Sequence, residues 1–351
     1  MGQKIKSILQ IVFFAILGMF IMYLLWQSLG KSYAEECVIQ GIPESECSLL
    51  DKLIQDFKGA NPFWLLVISI CFVISHIFRS VRWVILMKPM GYNISQFNSF
   101  ACTLVGYFAN LGAPRIGEFV RAGLISKYEH VPVEKAFATV VIERVIDVIM
   151  LILFLVVGLF FHYDQLWGYI QNNINISTNT WLIILGILIG LTITGLYILK
   201  KILSLDVSKL PPWMAKVKKM IQGFVEGIFE IRKLPNVSTF VLCSVGIWVM
   251  YFFMHYFAFF AYEPVSHLSI IDGILVFDFG SIGIAFPSQG GLGSYHVMIV
   301  EALKILGIPP VDGMSFAMIT FFTLTIFCTV IVGMICLILL PIVNKGKKIG
   351  P

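Results

Sequence analysis

Apolar residues come in long runs separated by short polar stretches, and the length of each run predicts the element it forms. Residues 8–29 make the first run, preceded by Lys4 and Lys6. Ser32-Tyr-Ala34 resembles a signal-peptidase site, but the run is longer than a usual signal-peptide core, so an uncleaved anchor is expected. Further runs of crossing length cover 62–86, 133–161, 181–199, 236–261 and 316–343. A helix needs about 20 apolar residues to cross the hydrocarbon layer. Two other apolar stretches, Phe97 to Leu111 and Ile270 to Phe286, fall short of that length.

Each short stretch runs into a break rich in glycine and proline, after which a helix resumes. The first break lies in Asn110-Leu-Gly-Ala-Pro-Arg-Ile-Gly-Glu-Phe-Val-Arg121 and the second is Pro287-Ser-Gln-Gly-Gly-Leu-Gly293. Broken backbone at membrane depth is tolerated only where protein or a water-filled cavity surrounds it. Re-entrant pairs of half-helices at 97–127 and 270–306 are therefore expected.

Charge then orients these elements by the excess of Lys and Arg in cytoplasmic loops. The stretch 30–60 holds six acidic residues against three lysines and 162–180 has no Lys or Arg, so both read as external. Arg79, Arg82 and Lys88, then Arg115, Arg121 and Lys127, read as cytoplasmic markers, as do the eight basic residues of 200–235 and Lys345, Lys347 and Lys348. Of 25 basic residues, Lys31, Lys52 and Lys58 are external and Arg144 and Lys304 fall in membrane segments, which leaves twenty on the cytoplasmic side. The expected fold is an all-α polytopic membrane protein. It has six full transmembrane helices plus two oppositely entering re-entrant helical pairs in an inverted repeat, with both termini cytoplasmic. Residues 1–351 form a single membrane domain with halves 1–161 and 181–343. The repeat is read from topology and the two breaks, because residue identity between the halves is weak. Within 200–235, Trp213, Val217, Ile221, Phe224 and Ile228 recur at helical spacing opposite Lys216, Lys218 and Lys219. That pattern reads as a cytoplasmic interfacial amphipathic helix attracted to anionic headgroups, with a plain connector helix as the alternative.

The composition, 58% hydrophobic and 13% charged with mean hydropathy +0.89, excludes a soluble domain. Stretches between runs are below the roughly 40 residues at which a chain builds its own core. Seven cysteines are present, and only Cys37 and Cys47 share a polar stretch. They pair if that stretch faces an oxidising compartment. The six histidines are dispersed and no His-Glu-x-x-His, phosphate-binding Gly-x-x-x-x-Gly-Lys-Ser/Thr, Gly-x-Ser-x-Gly or Cys-x-x-Cys occurs. No metal, no cofactor and no catalytic residue is expected.

Candidate chemistry gathers around the breaks. Arg115, Glu118 and Arg121 recur every third residue and share a helix face, where guanidinium groups and freed backbone N–H groups suit phosphate oxygens. The alternative is that they are loop charges that fix topology. Glu143, Arg144 and Asp147 stand inside an apolar run, with Glu143 about 12 Å from the cytoplasmic boundary. Intramembrane charges are by default functional, and a structural ion cluster neutralising Arg115 or Arg121 is the competing reading. In the second half Asp278, Ser288, Gln289, His296 and Glu301 flank Gly290, Gly291 and Gly293. The glycines let backbone approach a ligand closely, or let helices pack closely. Asp278 and Glu301 are candidates for proton exchange, and His296 reads more readily as a satisfied polar contact than as a ligand.

Pro114-Arg-Ile-Gly-Glu118 with Arg121, Glu143-Arg144 with Asp147, and Pro287 with Gly290-Gly-Leu-Gly293 together resemble the lysylphosphatidylglycerol synthase transmembrane-region family. This is the flippase-like membrane domain also found in multiple peptide resistance factors, and the resemblance covers about residues 10 to 340. It implies a multi-pass protein of the bacterial or archaeal cytoplasmic membrane that translocates lipids. The soluble aminoacyl-transferase domain of full-length resistance factors has no counterpart here, so lipid aminoacylation is not expected. Ala317-Met-Ile-Thr-Phe-Phe-Thr323 also lacks the basic residue that members often place early in the last span.

The function expected is translocation of an anionic or phosphate-headgroup lipid through a polar groove formed by the two re-entrant pairs. Membrane lipids, anionic or polyprenyl phosphate, are the expected partners, with a separate lipid-modifying enzyme as a further one and no nucleic acid. An intramembrane enzyme or accessory subunit acting on lipid-linked sugars or phospholipids, with Glu118 and Glu143 as acid and base, is the alternative. A scaffold recruiting a synthase through the basic helix is a third reading.

Overall fold

The computed structural model describes residues 2–41, 43, 47–112, 116–173, 190, 194, 200, 234, 236–286 and 288–345. The expected span 181–199 and amphipathic helix 200–235 lie almost wholly outside the described residues. So do Ala113, Pro114, Arg115 and Pro287. The chain separates into two units, Met1–His162 with Ser238–Pro351, and Tyr163–Val237. In the second unit, helix Tyr163–Asn173 stands where a loop is expected; its Tyr163 and Trp167 rings stack one turn apart.

Every described element of the first unit is helical. The helices are α1 (Gly2–Gln40), α2 (Leu49–Gly59), α3 (Pro62–Met87), α4 (Gln96–Gly112), α5 (Ile116–Glu129) and α6 (Val133–Phe161). With Tyr163–Asn173 as α7, the series continues with α8 (Val237–Phe259), α9 (Ile270–Ala285), α10 (Ser294–Ile305), α11 (Pro310–Phe321) and α12 (Thr329–Val343). A π-helical stretch, Phe322–Cys328, joins the last two. Among the described residues, three helical stretches are long and apolar enough to cross a membrane, Pro62–Met90, Val237–Phe259 and Pro310–Val343. Val133–Phe161 qualifies when taken with the residues up to Gln171. Large apolar side chains such as Val156 and Phe160 on α6, and Ile338 and Ile342 on α12, point outward from the protein. Such surfaces suit lipid rather than water.

Local chemistry sets the boundaries. Asn61 caps α3 by accepting from the Phe63 N–H at 3.0 Å, with Pro62 at the first helical position. Ser269 and Asp272 form a reciprocal capping box at the start of α9. The stretch 30–60 differs from expectation. It is mainly helix, because α1 continues to Gln40 and α2 follows, with Ser48 accepting from the Asp51 N–H at 3.3 Å. Cys37 and Cys47 are disulfide-bonded with Cα atoms 6.1 Å apart and join the end of α1 to the start of α2.

Two hairpins of short helices, α4–α5 and α9–α10, occupy the stretches where re-entrant pairs are expected. In each, the helices meet where side chains are missing. A Cβ on Gly117 would lie 2.0 Å from the Gly106 carbonyl oxygen, and one on Gly283 would lie 2.7 Å from the Tyr295 Cα. Asn110 Oδ1 accepts the Gly117 N–H at 2.7 Å across the first break. In the second, the Ser294 hydroxyl donates to the Gly283 carbonyl at 2.7 Å. Two further contacts tie the hairpins to the long helices in matching ways. Helix α6 lies on α9 at Gly158, and α12 lies on α4 at Gly333, where a Cβ would be 2.6 Å from the Phe108 Cβ. The residues that end α6 and α12 also reach the first turns of those same arms. His162 Nε2 is 3.6 Å from Asp272 Oδ1, and the Asn344 and Asn98 amides exchange hydrogen bonds of 2.7 and 2.9 Å.

Candidate functional site

Four arginines and three carboxylates converge where α3, α5 and α6 pack together. Asp147 accepts from Arg79 at 3.0 Å and from Arg82 at 2.9 Å, and Arg82 Nε is 3.5 Å from Glu143. Arg121 pairs with the other Glu143 oxygen. At the edge of the cluster Arg144 reaches Glu118 at 3.2 Å and Asp147 at 3.4 Å. Arg79, Arg82, Arg121 and Glu143 are each at most 2% exposed. Ions so placed are costly unless paired and hydrogen-bonded, and the surroundings supply further partners. Tyr251 accepts from Arg79 at 3.1 Å, Ser244 accepts from Arg82 at 3.4 Å, and the Arg121 guanidinium lies 3.7 Å over the Trp83 ring. The Trp83 indole N–H in turn donates to Thr139 at 2.8 Å, which fixes the ring.

Helical spacing explains the convergence. Arg79 and Arg82 lie three residues apart on α3, and Glu143 and Asp147 four apart on α6, so each pair shares a face. Glu118 and Arg121 do the same on α5. Within α6, Arg144 reaches Asp147 one turn on. The remaining imbalance has chemical content: four guanidinium groups face three carboxylates, leaving an excess positive charge among the described residues. Arg121 Nε and Nη1 and Arg79 Nε make no hydrogen bond among them. These N–H groups are donors the cluster leaves unused.

The second break comes to the first. Gln289 Nε2 donates to the Leu111 carbonyl at 2.7 Å and lies 3.2 Å from that of Gly112, so the tips of the two hairpins touch. Gly290, Gly291 and Gly293 have φ of 62°, 85° and 80°, the left-handed region that glycine enters without steric cost. They turn the chain tightly enough to bring Gln289 across.

Among the residues expected from sequence, the structure gathers Glu118, Arg121, Glu143, Arg144 and Asp147, and brings Gln289 with its glycines to the first hairpin. Asp278, His296 and Glu301 do not join the cluster. Asp278 rests against Gly158 of α6, eleven residues beyond Asp147. His296 is fully buried between the Tyr295 and Phe321 rings, and neither ring nitrogen has a hydrogen-bond partner among the described residues. It is not the satisfied contact expected. Glu301 is near Lys304 at 3.9 Å and half exposed.

Arg79 and Arg82, read from sequence only as markers of topology, are buried ion-pair partners of the cluster. Counting charge by chain position cannot tell which face of a helix a residue occupies. The available signal is that Trp83-Val-Ile-Leu-Met87 continues the apolar helix beyond them, which places both inside it.

Residues 48–333 match the family described as lysylphosphatidylglycerol synthase TM region. The chain belongs to this family. Three archaeal relatives are described as UPF0104 membrane proteins. That of Methanocaldococcus jannaschii is 35% identical over 116 residues, 32% of this chain and 34% of the relative, so the match spans about a third of that protein. That of Methanothermobacter thermautotrophicus is 24% identical over 72% of this chain and 78% of its own. The Pyrococcus horikoshii protein is 24% identical over 77% and 85%. No solved structure matches. Family and apolar helices together fit a lipid-related, multi-pass membrane protein.

Proposed function

We propose that the protein is a lipid translocase that moves a lipid with an anionic or phosphate headgroup along the contact between its two hairpin tips. The observation that carries this reading is the touching of the two breaks, through Gln289 and the Leu111 and Gly112 carbonyls, in a chain whose α5 also enters an arginine-rich cluster. A headgroup would exchange with the carboxylates for Arg121 while its chains stay in the bilayer. Glu118, Glu143, Arg144 and Asp147 would hold the guanidinium groups in place, and Arg115 would add a further charge at the first break.

In this reading the hairpins are re-entrant and enter from opposite sides within an inverted repeat of two halves. The reciprocal packing supports it, since the closing helix of each half lies on the first arm of the other half's hairpin. Six spans would place both termini in the cytoplasm of a bacterial or archaeal cell. Transport would need no cofactor and no catalytic residue. Glu118 and Glu143 are each held in an ion pair, which suits positioning better than acid–base chemistry.

The test is lipid movement in proteoliposomes, read with headgroup-labelled anionic and polyprenyl-phosphate lipids and an impermeant quencher. Wild type should expose inner-leaflet label to the quencher. Glu143→Gln, folded by its elution profile, should slow this at least about tenfold, the effect of losing about 1.4 kcal/mol of interaction. Wild type that leaves every such lipid in its leaflet would end the translocase reading, and turnover of the same lipids would then be sought.

A further inference from the structure

Asp278 is a carboxyl group that the ion cluster does not use. It lies in the middle of α9, an apolar helix, and is 3% exposed. Its Oδ1 has no hydrogen-bond partner and no basic side chain forms an ion pair with it among the described residues. The carboxyl sits directly on the backbone of α6: a Cβ on Gly158 would fall 2.0 Å from Asp278 Oδ2, with Ile274 beside it. Only glycine leaves room for it there.

Among the described residues, no titratable group on the elements packed against α9 forms an ion pair with Asp278. On α6, Asp147 is held by Arg79 and Arg82, and His162 faces Asp272. On α10, Tyr295 and His296 pack with Phe321, and Glu301 and Lys304 lie together. The turn of Gln289–Gly291 has none. On α8, His255 packs against Phe277 and Tyr295, and Tyr251 takes the bond from Arg79. An isolated carboxylate in apolar surroundings is costly, and intramembrane acids of this kind mark proton pathways. Metal cations need several oxygen ligands, and one carboxyl against Gly158 and Ile274 does not supply them.

Resting on the translocase reading, we infer that Asp278 is the proton-binding site that couples lipid movement to a proton gradient, through its seat on α6 at Gly158. One proton adds to the carboxylate from one side, forming an O–H bond, and leaves to the other after the hairpin and α6 shift; no other bond changes. Helix α6 is the mechanical link. It carries the carboxyl's seat at Gly158 and, about 16 Å away along the same helix, Asp147 of the ion cluster.

Two readouts separate failure of this inference from failure of the translocase reading. In proteoliposomes with an imposed gradient of one pH unit, one-to-one coupling shifts the final inner-to-outer lipid ratio up to about tenfold in wild type. In Asp278→Asn the ratio should stay the same with and without the gradient. A wild-type ratio that ignores the gradient while lipid still moves overturns proton coupling and leaves translocation standing. Infrared difference spectra across a pH titration ask the second question without lipid transport. A protonated-carboxyl stretch that titrates in wild type and is missing from Asp278→Asn supports the site, even if no lipid moves; identical spectra overturn it. Should Asp278→Asn fail to fold, Gly158→Ala takes its place: the added methyl must shift that stretch, and an unshifted band counts against the inference.

Discussion

Glu143 shows how much one side chain holds together. Fully buried, it faces Arg121 and Arg82 from two different helices. Removing one member of a buried pair costs about 3–5 kcal/mol, whereas replacing both by apolar groups of similar size is often near neutral. Glu143→Ala should therefore lower the thermal midpoint of the detergent-solubilised protein sharply, and Arg121→Leu with Glu143→Leu should recover most of the loss. Equal losses in the single and double variants would show that the pair is not a unit. The acids of this cluster were legible in sequence because charge inside an apolar run is conspicuous. Their partners Arg79 and Arg82 were not, because they stand near the end of a run, where a basic residue has a ready topological explanation. The aromatic and hydroxyl partners, Trp83, Tyr251 and Ser244, carry no sequence signal at all; only tertiary packing brings them to the guanidinium groups.

At the scale of elements, the two hairpins were legible from run length and glycine–proline breaks, and their close packing follows from the residues at the crossing. Gly117→Ala places a methyl group 2.0 Å from the Gly106 carbonyl, so α4 and α5 must separate. Overpacking of this kind costs typically about 1–3 kcal/mol, and a lowered thermal midpoint should register it. Gly123, which has open space around it, should tolerate the same change. The helices of 30–60 were not legible, because α2 is short and alternates apolar with charged residues, so it forms no membrane-length run. Besides the buried Leu49 and Leu53, it docks through Lys52, which bonds Asp56 and Asp312 at 3.0 Å each, while Tyr262 and Ser315 also reach Asp56. Burial alone would lower the Lys52 pKa, but the bonds and charges of Asp56 and Asp312 outweigh it and raise it above 10.5. This stabilisation is complete below the ordinary lysine value and is lost as pH rises through the raised one. Amide hydrogen exchange in α2 should thus become faster in that alkaline window in wild type, beyond the intrinsic rate increase, and the extra acceleration should be absent from Lys52→Met.

For the whole molecule, the reciprocal packing of α6 on α9 and α12 on α4 is the feature that sequence only suggested. Weak identity between the halves hid it, because the packing surface can be kept by different residues: His162 with Asp272 in one place and paired asparagines in the other. If lipid passes where the hairpin tips meet, locking the tips together stops it. With Leu111→Cys and Gln289→Cys, a short thiol-reactive cross-linker can bridge the contact, since the five free native cysteines are buried. The cross-linked protein should stop moving headgroup-labelled lipid while either single-cysteine variant, treated identically, continues. Cross-linked protein that moves lipid at the untreated rate would rule out passage between the tips.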